Sequence, residues 1–348
     1  MRRSAGRADG SLTLRVSIIV PNLNGETLLP GSLGALRVPT RHSYRVILVD
    51  NGSADRSIEV ARETLPDIEV IALPSNEGFV GACNRGARES DPESELLLFL
   101  NTDVTLTPNC LDELVDRAAE EPHAAVWQPK LMRADGSGWD SAGSFFTTTG
   151  FLWHDAFEDA PEDASEHPRD IFAAKGACFL VRREPFFAVG GFDESFFAYF
   201  EETDLCWRLQ LAGWGVRYLP VCCAYHEVGA TTTRHLRAAR IDFLSFRNRI
   251  VSIVKNAEAG TLAIVLPLHL VACLGAAAAL TVRGRWRSGL AILRAIAVAT
   301  TSYPELRARR QATQALRTRK DAAFLPAVTR RMTPSRAARL LTAYLPRW

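Results

Sequence analysis

Residues 15–50 read RVSIIVPNLNGETLLPGSLGALRVPTRHSYRVILVD, and this stretch decides the fold class. Two short apolar runs rich in β-branched residues, 15–20 and 45–49, flank a segment at 28–36 whose apolar spacing predicts a helix. The same alternation of strand-like and helix-like segments continues to residue 119. Strands that alternate with helices form βαβ units, so the sequence predicts a mainly parallel sheet with helices on both faces.

The periodicity changes after residue 130. Between residues 132 and 169, Gly, Asp, Ser, Thr and aromatic residues dominate, so we expect a long, partly mobile segment of the kind that covers a substrate. Regular structure is predicted again at 171–181, followed by a helix at 203–212 and a strand at 216–219.

The composition is that of a globular protein, but the charge is unevenly distributed. Of the 348 residues, 47% are hydrophobic and 23% are charged, which excludes a chain that is disordered throughout. Residues 230–348 contain 21 Lys and Arg against 4 Asp and Glu, whereas residues 1–229 contain 20 against 35. A basic tail on an acidic body indicates binding to anionic lipid, nucleic acid or a phosphorylated substrate. Nucleic acid is disfavoured, because the tail has neither aromatic and basic residues interleaved nor zinc-ligand spacing.

Cysteine usage and the N-terminus point to a reducing compartment. The seven cysteines form no CxxC pair and lie mostly inside apolar runs, which favours buried thiols. Residues 1–13 contain arginines without an apolar core after them, so we expect a flexible N-terminus and no secretory signal. The body of the protein is therefore expected in the cytosol.

The carboxyl-terminal part contains 24 consecutive residues without a charge, 259–282. As a helix they would measure about 36 Å, which is enough to cross a bilayer. Arg283, Arg285 and Arg287 would then lie outside, against the usual positive-inside bias. An interfacial or re-entrant hairpin, a membrane span and a buried soluble helix all remain open. The arginines beyond residue 307 fit an anionic membrane surface.

Polar clusters follow three predicted strands, at the positions where α/β sheets bind ligands. Asp50 begins a cluster that can bind a nucleoside or simply form a turn. Asn84 lies in a Gly-containing segment that opens a helix, whose N-terminus favours phosphate. Asp103 closes Asn101-Thr102-Asp103, which either caps a helix or coordinates Mg²⁺ or Mn²⁺, since these cations use one or two carboxylates plus phosphate oxygens.

Five carboxylates fall between residues 193 and 204. They are Asp193, Glu194, Glu201, Glu202 and Asp204. Because buried carboxylates are costly without partners, this grouping indicates a cation site or a proton-transfer task; the alternative is surface acid with a helix cap. His226 follows a strand-like run at 220–225 and is either structural or a metal ligand.

Seven motifs in order resemble the family 2 glycosyltransferases, above all their bacterial rhamnosyltransferase-like branch. The motifs are VSIIVPNLNG, DNGSAD, NEGFVGACNRG, FLNTDV, KGACFLVRR, GGFDESFFAYFEETDLCWRLQLAGWGVRYLP and AYH. The resemblance implies a Rossmann-like GT-A domain at 14–230, with a nucleotide-binding half at 14–130 and an acceptor-binding, catalytic half at 131–230. Residues 231–348 would form a helical, basic, membrane-associating region, and Phe246-Arg247-Asn248 resembles the membrane-proximal tail of this branch.

The resemblance implies an inverting sugar transfer that depends on a divalent metal, Mg²⁺ or Mn²⁺. The donor would be a nucleotide-diphosphate sugar, and the acceptor a saccharide or polyprenyl-linked saccharide at the cytoplasmic face of the cell membrane. The implied nucleotide-pocket residues are Pro21, Leu23, Asn24, Asp50, Asn84 and Asn101. The implied metal ligands are Asp103 and His226. The implied catalytic base is Glu202, with Glu201 and Asp204 as reserve candidates.

Two positions depart from the family pattern. Asn101 stands where the metal motif usually has its first Asp, and Glu202 stands where the catalytic Glu-Asp pair has Asp. These departures leave open a catalytically inactive module that binds a nucleotide sugar. A nucleotidyltransferase is disfavoured, because residues 21–31 contain no Lys or Arg to hold a triphosphate.

Overall fold

The computed structural model describes residues 14–154, 166–227, 237–333 and 335–336. The strands, in chain order, are β1 (Arg15–Asn22), β2 (Ser43–Asp50), β3 (Glu69–Ala72), β4 (Leu96–Leu100), β5 (Val104–Leu106), β6 (Ala124–Arg133), β7 (Trp139–Ser141), β8 (Ser144–Thr147), β9 (Leu152–His154), β10 (Arg169–Asp170), β11 (Cys178–Arg182), β12 (Gly215–His226) and β13 (Thr329–Arg330). The helices are α1 (Leu29–Ala35), α2 (Ser57–Thr64), α3 (Gly78–Arg88), α4 (Cys110–Glu120), α5 (Arg183–Ala188), α6 (Glu201–Leu211), α7 (Ala238–Asn256), α8 (Ala259–Val282), α9 (Trp286–Thr301), α10 (Tyr303–Ala315) and α11 (Leu325–Val328).

A mixed sheet forms the centre of the protein, in the order β10-β12-β6-β11-β4-β1-β2-β3. Strand β1 pairs in parallel with β2 and β4, and β2 pairs in parallel with β3. Strand β11 runs antiparallel between β4 and β6. The predicted α/β class is confirmed, with the parallel pairing concentrated in the amino-terminal half.

Both faces of the central strands are buried. In β4, Leu96, Leu98 and Leu100 belong to one apolar cluster, whereas Leu97 and Phe99 belong to the other. Because successive side chains of a strand point to opposite faces, helices must cover the sheet on both sides. This explains why the strand consists of apolar residues only and shows no polar alternation.

The expectation of a long, partly mobile segment at 132–169 is wrong for its described part. Residues 132–154 contain strands β7, β8 and β9, and the side chains of Phe145, Phe146 and Trp153 are buried. The ring of Phe146 packs against those of Phe172 and Trp207. Aromatic burial therefore orders a stretch whose small and polar residues suggested a loop.

The carboxyl-terminal helices pack on the same core as the sheet. One apolar cluster contains Phe99 of β4 together with Ile253, Cys273 and Ile292 of helices α7 to α9. Strand β13 extends the small β8–β9 sheet by pairing in parallel with β8. The described residues after 237 are thus continuous in packing with those before 227, while the predicted domain boundary at 230 stays a prediction.

The uncharged stretch at 259–282 forms helix α8 over its whole length. Within the described residues, it is the one helix long and apolar enough to cross a membrane, with a mean hydropathy of 2.2 and 28% of its most apolar window buried.

Several sequence-based expectations fall on other parts of the chain. The flexible N-terminus predicted at 1–13, residues 155–165 of the covering segment predicted at 132–169, and residues 337–348 of the basic tail lie outside the described residues. Cysteines in the described apolar runs, such as Cys206 and Cys273, are buried as predicted.

Candidate active site

Asp50 ends strand β2 and is buried, with 3% of its surface exposed. Its Oδ1 accepts hydrogen bonds from Asn22 Nδ2 at 2.7 Å and from Ser53 Oγ at 2.6 Å. Its Oδ2 accepts a third from the Ser53 amide at 3.0 Å. The chain makes this turn at Gly52, whose φ of +78° and close approach to Ser75 exclude a side chain. The local sequence therefore fixes the Asp50 carboxylate before any ligand binds.

The loop after β1 lies against the loop after β2. Asn24 adopts a left-handed φ of 49°, its amide donates to Ser53 Oγ at 2.8 Å, and its Oδ1 accepts from the Ala54 amide at 2.8 Å. Pro21, near the end of β1, and Leu23, in the loop that follows, are half-buried. The structure thus brings these predicted pocket residues together with Asp50.

Asn84 of helix α3 makes contacts of another kind. Its side chain is buried, its Nδ2 donates to the Phe192 carbonyl at 2.9 Å, and its Oδ1 accepts from the Phe192 amide at 3.0 Å. Both ends of the carboxamide therefore tie α3 to the turn that follows Gly191.

Asp103 and His226 lie together, as the sequence predicted. Strand β5 pairs with the end of β12, and this places His226 Nε2 3.5 Å from Asp103 Oδ1. The other ring nitrogen, Nδ1, hydrogen-bonds to Asp140 Oδ2 at 2.7 Å. Lys175 Nζ then donates to both oxygens of Asp140 at 2.6 Å. Sequence reasoning missed Asp140, which lies in the stretch that was taken for a loop.

The electrostatics of this group follow from its contacts. Burial alone would raise the pKa of Asp140, but the hydrogen bond from His226 and the charge of Lys175 lower that pKa to about 2. Burial would lower the pKa of His226, and its hydrogen bonds to Asp103 and Asp140 outweigh this and raise it. Asp140 is therefore a permanent carboxylate that fixes the orientation of the imidazole.

The residues at this strand end fit a hard divalent cation. Asn101 Oδ1 is buried and has no hydrogen-bond partner within the described residues, and it belongs to the same strand end as Asp103. In the described ranges, no group of three or more His, Cys, Asp or Glu side chains is placed to hold a metal ion. A site with few protein ligands suits Mg²⁺ or Mn²⁺, since substrate phosphates and water complete their coordination.

Glu202 lies beside the same strand end. Its side chain is half-buried, and its Oε2 lies 3.7 Å from the position that a Cβ on Gly176 would occupy. The next residue, Ala177, accepts a hydrogen bond from the Asn101 amide at 2.9 Å through its carbonyl. The approach of Glu202 to Gly176 thus connects the start of α6 with the end of β4.

Glu201 and Glu202 form an acidic pair at the start of α6. Burial and, second, the charge of Glu202 raise the pKa of Glu201 well above its usual range. Burial also raises the pKa of Glu202, against hydrogen bonds from its own backbone and Thr203 and the charge of Lys175. Glu201 Oε2 is buried without a hydrogen-bond partner in the part of the chain that the structure describes. Carboxyl groups with raised pKa values are typical of proton-transfer sites.

Asp204 is placed differently from the two glutamates. It is fully buried, and its carboxylate accepts from Arg208 Nε at 2.8 Å, Lys255 Nζ at 2.9 Å and Asn256 Nδ2 at 2.8 Å. Burial would raise its pKa, but Lys255 and Arg208 lower it. These contacts join α6 to α7 and occupy both carboxylate oxygens.

The fold is that of a GT-A glycosyltransferase. Residues 17–189 match the family described as glycosyl transferase family 2. The chain is 31% identical over 224 residues to an N-acetylglucosaminyl-diphospho-decaprenol L-rhamnosyltransferase of Mycobacterium tuberculosis, covering 58% of this chain and 72% of the relative. The protein therefore belongs to the family 2 glycosyltransferases, and the predicted likeness to the rhamnosyltransferase-like branch is confirmed.

Solved structures support the fold. TarS 1–349 of S. aureus in complex with UDP-GlcNAc aligns with a TM-score of 0.56 at 17% identity, covering 87% of this chain and 89% of that one. The mannosyltransferase PcManGT of Pyrobaculum calidifontis, solved with GDP-Man and Mn²⁺, aligns with a TM-score of 0.54 at 17% identity, covering 89% and 88%. At these identities the likeness shows the fold alone.

Proposed function

We propose that this enzyme transfers a sugar, with inversion, from a nucleotide-diphosphate sugar to a hydroxyl of a lipid-linked saccharide in cell-envelope polysaccharide synthesis. The observation that carries the proposal is that the Asp103–His226 pair and Glu202 lie at the end of β4. Glu202 approaches Gly176, whose neighbour Ala177 accepts a hydrogen bond from the Asn101 amide, two residues before Asp103. Asp50 ends β2, which lies beyond β1 on the same sheet edge. A donor bound along this edge would reach from a nucleoside site at Asp50 to Glu202.

Glu202 is the proposed catalytic base. It takes the proton from the acceptor hydroxyl, whose oxygen forms the new bond to the anomeric carbon as the bond to the diphosphate breaks. Attack from the face opposite the leaving group inverts the configuration, and no covalent intermediate is needed. A positioned base contributes about 10²–10⁴-fold to rate, and a raised pKa strengthens it near neutral pH. Glu201 and Asp204 are less suited, since Glu201 is almost fully buried and Asp204 is ion-paired.

Asp103 and His226 are the proposed ligands of a divalent cation, with Asn101 Oδ1 as a further oxygen donor. When bound, Mg²⁺ or Mn²⁺ supplies Lewis-acid neutralisation of the charge that grows on the diphosphate. The Mn²⁺ in the solved mannosyltransferase supports the use of a divalent cation by this fold. Asp140 holds the His226 ring, and Lys175 holds Asp140.

The acceptor is proposed to be a saccharide linked to a polyprenyl diphosphate. The name of the mycobacterial relative states such an acceptor, N-acetylglucosaminyl-diphospho-decaprenol. It also states L-rhamnose as the transferred sugar. A shared acceptor class would require this enzyme to work at a membrane surface, and rhamnose is the donor sugar to test first.

An exposed apolar face on α8 and α9 supports membrane association. Val271 is 69% exposed and Val282 is 88% exposed, values that are unusual for large apolar residues on a helix. The other members of this apolar face are Ile264, Leu268, Leu274, Trp286, Leu290, Leu293 and Val298. Val265 and Cys273, on the opposite side of α8, are buried in the protein core.

This two-sided packing favours helices that lie in the plane of the membrane over a span. One side of α8 is covered by the core of the sheet, since Val265 and Cys273 belong to the same apolar cluster as Phe99 of β4. Exposed Arg283, Arg287 and Arg294 border the apolar face and suit anionic lipid headgroups. We place the enzyme on the cytoplasmic leaflet, where anionic lipids concentrate.

Donor binding tests the proposed function directly. Thermal unfolding is measured with nucleoside diphosphates and their sugar conjugates, each with and without Mn²⁺. Stabilisation by one diphosphate series, enhanced by Mn²⁺, is expected by mass action and names the base. Transfer to a polyprenyl-diphosphate-linked N-acetylglucosamine is then followed by mass spectrometry. Failure of every donor to bind rejects the proposal, and binding without transfer indicates an inactive nucleotide-sugar module.

Vesicle sedimentation tests the membrane placement separately. The protein should bind vesicles that contain phosphatidylglycerol more strongly than pure phosphatidylcholine vesicles, and salt should weaken this binding. The double substitution V271D/L274D should abolish binding. Phe187→Asp, at an exposed apolar residue of α5, serves as the control. Equal binding by the double variant and the control would reject the apolar face as the docking surface.

A further inference from the structure

Two consecutive residues directly before the catalytic pair have strained backbones. Tyr199 has a φ of 71° and Phe200 a φ of 73°, both in the left-handed region, and neither is a glycine. Glu201 and Glu202 follow at once as the first two residues of α6. Such conformations persist where surrounding structure over-determines them, so the contacts that hold this pair also set the direction of the glutamates.

Asn248 of helix α7 supplies those contacts. Its side chain is completely buried, and its Nδ2 donates to the Ala198 carbonyl at 2.9 Å and the Tyr199 carbonyl at 2.8 Å. Arg247 Nη1 donates to Asn248 Oδ1 at 3.0 Å and to the Ser195 carbonyl at 2.8 Å. Because Oδ1 already accepts from a guanidinium, the amide group of Asn248 must point at the two carbonyls.

A second set of contacts from the same helix supports the strained pair. The Arg249 guanidinium lies 5.1 Å from the centre of the Phe200 ring. Farther along α7, Lys255 and Asn256 bind the Asp204 carboxylate. Helix α7 therefore contacts the chain just before the glutamates, at Phe200, and just after them, at Asp204.

We propose that Asn248 is a positioning residue for the transfer reaction: it holds the left-handed turn at Tyr199 and Phe200 and thereby directs Glu202 at the acceptor hydroxyl. This inference rests on the proposed function, since it assigns a task to Glu202. It also gives helix α7, and with it the carboxyl-terminal region, a task in positioning the proposed base.

The test compares Asn248→Ala with Gln314→Ala. Gln314 of α10 uses the same chemistry elsewhere, since its Nε2 donates to the successive carbonyls of Lys255 and Asn256, each at 3.0 Å. We expect N248A to lower kcat by about 10–100-fold, as is typical of lost support around a reacting group, while the donor KM stays close to the wild-type value. Q314A should lower the unfolding temperature without this loss of kcat.

Hydrogen exchange gives a readout that does not depend on activity. Amides in the peptide 197–205 should exchange faster in N248A and at the wild-type rate in Q314A. The inference is overturned if N248A retains wild-type kcat, or if its loss of kcat is matched by Q314A. Absence of transferase activity in the wild type would instead reject the proposed function, so the two failures are distinguishable.

A second variant keeps the test decisive if N248A is unstable. Tyr199→Gly removes the left-handed strain, because glycine adopts a positive φ without a steric penalty. In the Y199G background, Asn248→Ala should cost markedly less kcat than in the wild type. Equal losses in both backgrounds would show that Asn248 acts only through general stability, and would overturn the positioning role.

Discussion

Asp50 and Glu201 are both buried carboxylates, yet the chain surrounds them in opposite ways. Asp50 accepts three hydrogen bonds from Asn22 and Ser53. Glu201 has one oxygen that is buried without a hydrogen-bond partner within the described residues, and burial raises its pKa. The proposed donor end of the site is thus assembled by its own loops, whereas the proposed acceptor end includes a buried carboxyl oxygen that accepts no hydrogen bond from the described residues.

The different surroundings of Asp50 and Glu201 suit two different tasks, binding of the donor and proton transfer. The Asp50 carboxylate is held in place by its three hydrogen bonds, which suits the binding of a ligand. Beside Glu201, burial raises the pKa of the proposed base Glu202, which makes it a better base near neutral pH. We therefore expect substitutions at the donor end to change affinity and substitutions at the acceptor end to change rate.

The largest expected effect is on the rate of transfer. Glu202→Gln keeps the size of the side chain but removes its basicity, so kcat should fall by about 10²–10⁴-fold while donor affinity persists. Initial rates and donor titrations measure the two quantities. Glu194→Gln, at an exposed carboxylate of the preceding loop, is the matched control. If E202Q lost donor affinity as strongly as it lost rate, the proposed division between donor binding at Asp50 and proton transfer at Glu202 would be wrong.

The next effect concerns the proposed metal site at Asp103 and His226. Asp140→Asn should weaken Mn²⁺ binding by about 10–100-fold, since it removes the carboxylate that orients His226. Titration of Mn²⁺ followed by electron paramagnetic resonance, with a nucleoside diphosphate present, measures this directly. Asp116→Asn provides the control, because Asp116 Oδ1 contacts His42 Nε2 at 2.9 Å in an equivalent pair. Unchanged Mn²⁺ affinity in D140N would remove His226 from the proposed metal site.

At the donor end, Asp50→Asn should weaken nucleotide binding on the order of tenfold, as expected for loss of a charged hydrogen bond. The rate at saturating donor should change little. Asp112→Asn is a suitable control, since Asp112 is also buried and accepts from the Arg41 amide at 2.9 Å. A D50N variant that binds normally but turns over slowly would reverse the assignment of the two ends.

The smallest effect is on stability and depends on pH. The pKa of Glu201 is raised above its ordinary value of 4.5 in the folded protein, so Glu201 stays protonated there at pH values at which the unfolded chain ionises it. The contribution of Glu201 to the free energy of unfolding is therefore lost as pH rises. Glu201→Gln does not titrate. The free energy of unfolding of E201Q, relative to that of the wild type, should therefore increase from about pH 4.5 upward. Denaturant unfolding at a series of pH values measures this difference. A constant difference at every pH would contradict the raised pKa.

The amino-terminal half was predictable because its signals are local. The apolar runs that became β1, β2 and β4 are short in sequence, and the acids that follow them, Asp50 and Asp103, lie where parallel strands end. His226 was placed near Asp103 through the family resemblance, since their contact depends on the pairing of β5 with β12.

The missed residues depend on contacts between distant segments. Asp140 reaches His226 only because β7 pairs with β6 beside β12, and no local pattern records that arrangement. Asn248 belongs to a motif noted in the sequence, but its task depends on strained backbone at Tyr199 and Phe200. Positive φ at non-glycine residues is invisible in sequence, because it reflects support from elsewhere in the fold.

The pairing of β13 with β8 has a consequence for how the enzyme is made. Phe146 emerges from the ribosome long before Thr329, its partner in the pair. At synthesis rates of about 5–20 residues per second, the small sheet waits on the order of 10 s or more for its last strand. A nascent chain can therefore form β1 to β4 well before β13 can join β8. Premature termination before residue 329 would leave the small sheet without its third strand.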